Sequence, residues 1–144
     1  MNSEHPSPRE RELARPVAVL VVEDDILVRL TAAGYLRDAG YSVIEAANAA
    51  EALEVFASGE SVDVIFTDIQ MPGATDGLML ARWVRDHHPE TEVLVTSGKG
   101  GDGVSSELIA GDAFFPKPYR LDAVVARIRA LASPYPRVSV VLSQ

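Results

Sequence analysis

The sequence contains no cysteine, and only 6% of its 144 residues are aromatic. Without thiols the chain can form neither a disulfide nor a thiolate metal site, which excludes that redox chemistry and favours a cytoplasmic location. It also lacks an uninterrupted run of about 18 apolar residues, the length that a membrane helix requires. Residues 1–15 have no apolar core of the kind found in a secretory signal. No membrane partner is therefore expected.

Positive charge is scarce as well. The chain has 13 Lys and Arg residues against 21 Asp and Glu, giving a net charge of −8. A protein with this balance repels the phosphates of DNA and RNA, so nucleic acid is not expected as a partner.

The length predicts one domain, and the 47% hydrophobic content is ordinary for a globular protein.

The order of patterns along the chain predicts an alternation of strands and helices. Residues 1–15 are polar and predict a disordered lead, residues 16–133 the domain, and residues 134–144 a tail. Short apolar runs predict strands at 17–22, 41–46, 62–66, 93–95 and 113–115. Amphipathic or capped segments predict helices at 26–39, 49–56, 77–87, 104–110 and 121–131. Asn48 is the predicted N-cap of the second helix, with Glu51 at the third helical position forming a capping box. Short connections and this alternation predict a parallel sheet with helices on both faces.

Polar residues recur where these strands end. Glu23 and Asp24 follow the first strand, Asp68 the third, Thr96 the fourth and Lys117 the fifth. Taken singly, each has an ordinary explanation, such as a turn aspartate or a solvated acidic loop. Because the carboxyl ends of parallel strands share one edge, four matched groups at that edge favour a functional site.

The residue types at this edge suit phosphoryl transfer onto a carboxylate. Acidic side chains favour Mg²⁺, which binds carboxylate, carbonyl and phosphoryl oxygens. Lys117 and the Thr96 hydroxyl could contact phosphoryl oxygens, which leaves Asp68 as the nucleophile. A P-loop is excluded, because Lys99 is followed by Gly100 rather than by Ser or Thr.

The sequence resembles the receiver domains of bacterial two-component response regulators. The segments VLVVEDD, VIFTDIQMPG, VLVTSG and FFPKPY match that family's signature segments in order and spacing. The resemblance implies a flavodoxin-like (βα)5 three-layer sandwich whose five parallel strands have the order 2-1-3-4-5. Two departures are an extra residue in MPGATDG and a glycine-rich stretch between Thr96 and Lys117, which predicts a short fourth helix.

The resemblance also implies a role for each site residue. Asp68 would accept the phosphoryl group, and Glu23 with Asp24 would form the acidic pair. Asp25 would then be a loop residue or a helix cap. Asp24, Asp68 and the carbonyl of Gln70 would bind Mg²⁺.

In the same family, a threonine, an aromatic residue and a lysine complete the site. Here Thr96 would be the switch hydroxyl, Phe114 the switch aromatic residue and Lys117 the phosphate-binding lysine. A partner would read the surface formed by the predicted helix 104–110, the fifth strand and the last helix. A lysine that must reach the phosphoryl group from a turn has little backbone freedom, and the proline after it permits a cis bond at low cost, so we predict cis between Lys117 and Pro118.

The predicted function is a stand-alone receiver that is phosphorylated by a sensor histidine kinase or a histidine phosphotransfer protein and then signals to a downstream protein. The chain would catalyse only its own phosphorylation and dephosphorylation. Eleven residues after Ser133 are too few for an output domain. A phosphate sink or a segment of a hybrid kinase is the alternative. A metal-dependent phosphohydrolase is disfavoured, because Gln70 stands where such an enzyme needs a second acid.

The tail and the oligomeric state stay open at this stage. Val138, Val140 and Leu142 alternate with other residues at the period of a strand, which could extend a sheet edge. A frayed terminus is the favoured alternative. The chain is expected to be a monomer or a weak homodimer.

Overall fold

Five parallel strands form one sheet in the order β2-β1-β3-β4-β5. The computed structural model describes Ser7 and residues 15–70, 77–98 and 113–131. The strands are β1 (Ala18–Val22), β2 (Ser42–Ala46), β3 (Val64–Asp68), β4 (Glu92–Ser97) and β5 (Phe114–Pro116). Their parallel pairing requires each connection to cross back over the sheet. The flavodoxin-like order predicted from the sequence is confirmed.

The described residues form four helices: α1 (Ile26–Asp38), α2 (Ala49–Ala57), α3 (Gly77–His87) and α4 (Leu121–Leu131). Helices α1 and α4 cover one face of the sheet, and α2 and α3 cover the other. The helix predicted at 104–110 lies outside the described residues, as do the tail, residues 71–76 and most of the lead. Within the described residues, no helix combines the length and apolarity needed to cross a membrane.

The core consists of two apolar layers separated by the sheet. All five residues of β1 are buried, and they alternate between the layers: Val19 and Val21 contact the α1 and α4 side, while Leu20 and Val22 contact the α2 and α3 side. Strands buried on both faces read as continuous apolar runs, which explains why β1 and β3 were recognisable from sequence. This core fixes the strand ends that carry the polar groups.

Two helix starts near the site edge are capped by side chains. The Asp25 carboxylate accepts hydrogen bonds from the N–H groups of Leu27 (2.9 Å) and Val28 (3.2 Å), so Asp25 is the N-cap of α1. Asn48 caps α2 and accepts from the Glu51 N–H at 2.8 Å, as predicted.

The prediction of a reciprocal capping box at Asn48 was wrong in one bond. The Glu51 carboxylate accepts from the N–H of Ala47 at 2.7 Å, one residue before the cap. The extended backbone of Asn48 presents the preceding N–H to Glu51 instead.

Helix α3 meets α2 through an aromatic contact. The rings of Trp83 and Phe56 pack edge to face with centroids 5.7 Å apart. Met79 is 53% exposed on the same helix.

Candidate functional site

The ends of β1, β3, β4 and β5 bring their polar residues to one edge of the sheet. Asp68 and Thr96 are direct partners in the pairing of β3 with β4, and the Lys117 N–H donates to the Ser97 carbonyl at 3.0 Å. Glu23 follows β1 directly, and its N–H donates to the Ala46 carbonyl. The strand ends predicted to converge are therefore adjacent, because parallel pairing aligns them.

Lys117 is the centre of the contacts at this edge. Its ammonium donates to Asp68 Oδ2 at 2.8 Å and to Glu23 Oε1 at 3.2 Å. The side chains of both acids are only 5% exposed, whereas Lys117 is 29% exposed. The peptide bond between Lys117 and Pro118 is cis, as predicted. One cation therefore joins two buried carboxylates, one directly after β1 and one at the end of β3.

Burial, hydrogen bonds and neighbouring charges shift the pKa values of Glu23 and Lys117. Burial raises the pKa of Glu23, and the charge of Asp68 raises it further, while the Asp25 N–H and Lys117 oppose the increase. Burial lowers the pKa of Lys117, but its hydrogen bonds and charge interactions with Asp68 and Glu23 outweigh that effect, and the pKa is raised overall. Lys117 is therefore held in its charged form.

Arg29 of α1 is hydrogen-bonded to the acidic segment that follows β1. Its guanidinium donates to the Glu23 carbonyl at 2.8 Å and pairs with Glu45 of β2 at 3.3 Å. The Asp25 N–H donates to Glu23 Oε2 at 3.1 Å. Both the backbone and the side chain of Glu23 are thus fixed before any ligand binds.

Three carboxylates at this edge form a group that fits a divalent cation. Oxygen atoms of Glu23, Asp24 and Asp68 lie within 4.8 Å of one another, and Asp24 is exposed. Ionised together with Lys117, these groups carry a net charge of −2, which one divalent cation would cancel. An all-oxygen set suits Mg²⁺ by ligand type. The N–H of Gln70 donates to Asp68 Oδ1 at 2.8 Å, which fixes the Gln70 main chain beside that carboxylate.

The Thr96 hydroxyl is buried and has no hydrogen-bond partner among the described residues. Thr96 is 2% exposed, and its backbone carbonyl accepts from the Ile69 N–H at 3.0 Å. Buried hydroxyls are nearly always hydrogen-bonded, so an unpaired one next to Asp68 requires an explanation. A ligand atom at this edge would supply the missing partner.

Phe114 lies on β5, where it pairs with Val95 of β4. Its ring is half-buried and packs against a small apolar cluster of Ile69, Ala81 and Val95. Phe114 is thus close in the sheet to Thr96, the residue that follows Val95. Its role as a switch stays a prediction.

An apolar groove beside the site was not predicted from the sequence. Helix α1 exposes Ile26 (57%), Leu27 (72%) and Leu30 (50%) to solvent. A groove of about 680 Å³ runs between α1 and the segment after β5, and its lining includes Leu27, Val28, Thr31, Lys117, Tyr119 and Leu121. The signal in the sequence was the scarcity of polar residues in α1, which could not show which side of the helix faces the core.

Tyr119 extends the site into this groove. Its ring packs edge to face on Phe66 with centroids 5.2 Å apart. Burial raises the pKa of its phenol, and the charge of Glu23 adds to that increase. The phenol therefore stays protonated near neutral pH.

Fold and site together define a class: a parallel α/β domain with a buried aspartate, a lysine and an acidic group at the carboxyl edge of its sheet. The family model of the response regulator receiver domain matches residues 19–129. The chain belongs to the response regulator receiver domain family, which functions in two-component signalling.

Known relatives agree with this assignment. The chain is 36% identical over 124 residues to the sensor kinase CckA of Brucella abortus, covering 83% of this chain and 13% of that protein. It is 39% identical over 121 residues to the response regulator MprA of Mycolicibacterium vanbaalenii, covering 81% of this chain and 50% of that protein. The chain therefore spans half or less of the length of these relatives.

A solved structure with the same fold is the response regulator TrrA of Thermotoga maritima in complex with Mg²⁺ and BeF. It is 27% identical, has a TM-score of 0.70, and the match covers 80% of this chain and 98% of that one.

Proposed function

We propose that Asp68 accepts a phosphoryl group and that the phosphorylated domain signals through protein contacts. The observation that carries this proposal is the environment of the Asp68 carboxylate. It is buried, it is bonded to Lys117, and it pairs across the sheet with Thr96, whose hydroxyl has no partner among the described residues. An incoming phosphoryl group would give that hydroxyl an acceptor.

In the proposed reaction, an Asp68 oxygen attacks phosphorus and the donor's leaving group departs in line. The Lys117 ammonium then neutralises charge on the transferred phosphoryl oxygens, because its raised pKa keeps it protonated. Thr96 donates its hydroxyl hydrogen to one of those oxygens. Glu23, held by Lys117 and the Asp25 N–H, keeps the ammonium directed at Asp68.

Magnesium is the proposed cofactor. Asp24, Asp68 and the Gln70 carbonyl would hold Mg²⁺, with Glu23 completing the acidic pair. Support comes from the clustered carboxylates of this chain and from the related TrrA, whose structure contains Mg²⁺ and BeF. When bound, the ion would supply positive charge beside the phosphoryl group.

The proposed phosphodonor is a protein that carries a phosphohistidine, either a sensor histidine kinase or a histidine phosphotransfer protein. The apolar groove along α1 supports a protein donor, because its lining includes Leu27, Leu121 and Lys117, and the ammonium of Lys117 contacts Asp68. A partner surface that filled this groove would stand beside the acceptor carboxylate. We propose that an apolar surface of the donor occupies it.

Two kinds of protein are candidates for the one that contains this domain. A stand-alone regulator in the cytoplasm is the first proposal, and the downstream target would then be a separate protein. The similarity to the sensor kinase CckA supports the alternative, in which the chain is the receiver segment of a hybrid kinase. A phosphate sink would use the same chemistry.

The test is phosphorylation by acetyl phosphate, read by intact-protein mass spectrometry. The wild-type chain should gain one phosphoryl group in the presence of Mg²⁺ and none after EDTA treatment. Asp68→Asn should gain none, whereas Asp122→Asn, which changes an exposed aspartate on α4, should behave as wild type. Equal labelling of Asp68→Asn and wild type would show that another residue is the acceptor.

A further inference from the structure

Ser97 joins two segments that carry groups of the proposed site. Its backbone carbonyl accepts the Lys117 N–H at 3.0 Å, and its side-chain hydroxyl donates to the Gln70 side-chain oxygen Oε1 at 2.9 Å. Ser97 is fully buried at the end of β4, whereas Gln70 is exposed. The hydroxyl bond thus anchors an exposed side chain to the rigid part of the sheet.

Gln70 is held at two points. Its N–H donates to Asp68 Oδ1 at 2.8 Å, and its side chain is held by Ser97 from the neighbouring strand. The first bond limits rotation of the peptide that precedes Gln70, and the second limits movement of its side chain and Cα. Because the carbonyl projects from that Cα, both bonds narrow the region in which its oxygen can lie.

We infer that Ser97 is a positioning residue for the metal site: its hydroxyl, acting through the Gln70 side chain, orients the Gln70 carbonyl toward the cation. This inference rests on the proposed function, in which that carbonyl is a ligand. Residues that hold a metal ligand in place typically change metal affinity by about 10- to 100-fold when removed. Ser97 fits this description, because its hydroxyl donates to Gln70 Oε1 from the neighbouring strand at 2.9 Å.

The experiment measures Mn²⁺ binding by the electron paramagnetic resonance signal of the free ion, without any phosphodonor. Ser97→Ala removes the hydroxyl and keeps the backbone bond to Lys117. Its dissociation constant for Mn²⁺ should rise about tenfold. Gln70→Met removes the other end of the bond at an exposed position and should give a similar increase, and the double variant should show no further increase.

Two measurements separate positioning from a general loss of structure. Ser58→Ala also removes a bonded serine hydroxyl, the one that donates to the Val55 carbonyl at 2.7 Å, but lies far along the chain from the site and should leave Mn²⁺ affinity unchanged. Saturating Mg²⁺ should restore the phosphorylation rate of Ser97→Ala to that of wild type, because only metal affinity is weakened.

The outcomes distinguish a failure of the role inferred for Ser97 from a failure of the proposed metal site and phosphorylation. If wild type and Ser97→Ala bind Mn²⁺ equally, the positioning role is wrong while the phosphorylation of Asp68 stands. If additive losses appear in the double variant, the two residues act separately and the inference is also wrong. If the wild type binds no Mn²⁺, both the metal site and the role of Ser97 are refuted.

Discussion

Replacing Thr96 by valine should change stability and ligand binding in opposite directions. Valine has the shape of threonine without the hydroxyl, so the substitution removes a buried polar group that has no partner among the described residues. Leaving such a group unpaired costs about 1–3 kcal/mol, so Thr96→Val should raise the free energy of unfolding by about 1 kcal/mol. With a urea m-value of about 2 kcal/mol/M, the midpoint should increase by roughly 0.5 M.

The same substitution should weaken binding of beryllofluoride, which mimics the phosphoryl group on Asp68. A hydrogen bond to a charged acceptor contributes about 1.5–3 kcal/mol, and each 1.4 kcal/mol corresponds to a factor of ten, so affinity should fall at least about tenfold. Unfolding can be followed by the fluorescence of Trp83, the only tryptophan in the chain. Beryllofluoride binding can be followed by chemical shifts in the presence of Mg²⁺.

Thr91→Val is the matched control for this experiment. Thr91 is also buried, but its hydroxyl donates to the Val62 carbonyl at 2.8 Å. Its loss leaves a buried carbonyl unpaired and should lower stability by about 1–2 kcal/mol without affecting beryllofluoride. If Thr96→Val is destabilised as much as Thr91→Val, the Thr96 hydroxyl has a partner in the unphosphorylated protein. If its beryllofluoride affinity is unchanged, Thr96 does not contact the phosphoryl group.

Two further predictions test the charges and the packing around Asp68. Lys117→Met should lower the unfolding free energy by about 2 kcal/mol at pH 7, because two buried carboxylates lose their cation. Since the Lys117 pKa is raised from 10.5, this stabilisation is complete below that pH and is lost as pH rises through the raised pKa, so urea titrations of wild type and variant should converge there. Arg120→Met, which breaks a surface pair, should change little, and an equally small effect at Lys117 would refute the argument. Gly77→Ala should cost about 1–3 kcal/mol and weaken beryllofluoride binding, because a Cβ there would collide with the Asp68 carbonyl oxygen and lie 2.7 Å from its carbonyl carbon. Gly34→Ala in α1 meets nothing within 4 Å and should stabilise by about 0.5–1 kcal/mol, so similar thermal shifts for both glycine variants would contradict the predicted collision.

The sequence determined the sheet and the residues at its edge. Continuous apolar runs in β1 and β3 indicated strands buried on both faces, and the alternation with helices required parallel pairing. Parallel strands end at a common edge, so Asp68, Thr96 and Lys117 could be placed together without coordinates. Helix starts were also readable, because Asn48 supplies a local cap that depends only on its neighbours.

The role of Asp25 could not be predicted from its sequence neighbours alone. It follows Glu23 and Asp24 directly, and the sequence left it as either a loop residue or a cap. The structure assigns it to the start of α1, where its carboxylate accepts two N–H groups. That choice depends on the direction in which the loop leaves β1, which the Arg29 contact to the Glu23 carbonyl helps to fix.

Only the tertiary structure decided which surfaces and side chains meet across the chain. Helix α1 is apolar on several sides, so its sequence could not show that Ala32, Ala33 and Leu36 face the core while Leu27 lines the groove. The bond from Ser97 to Gln70 spans 27 residues and depends on the register of β3 with β4. Local patterns determine strands, helices and caps because those depend on neighbours, whereas contacts between distant residues require the packed sheet that brings them together.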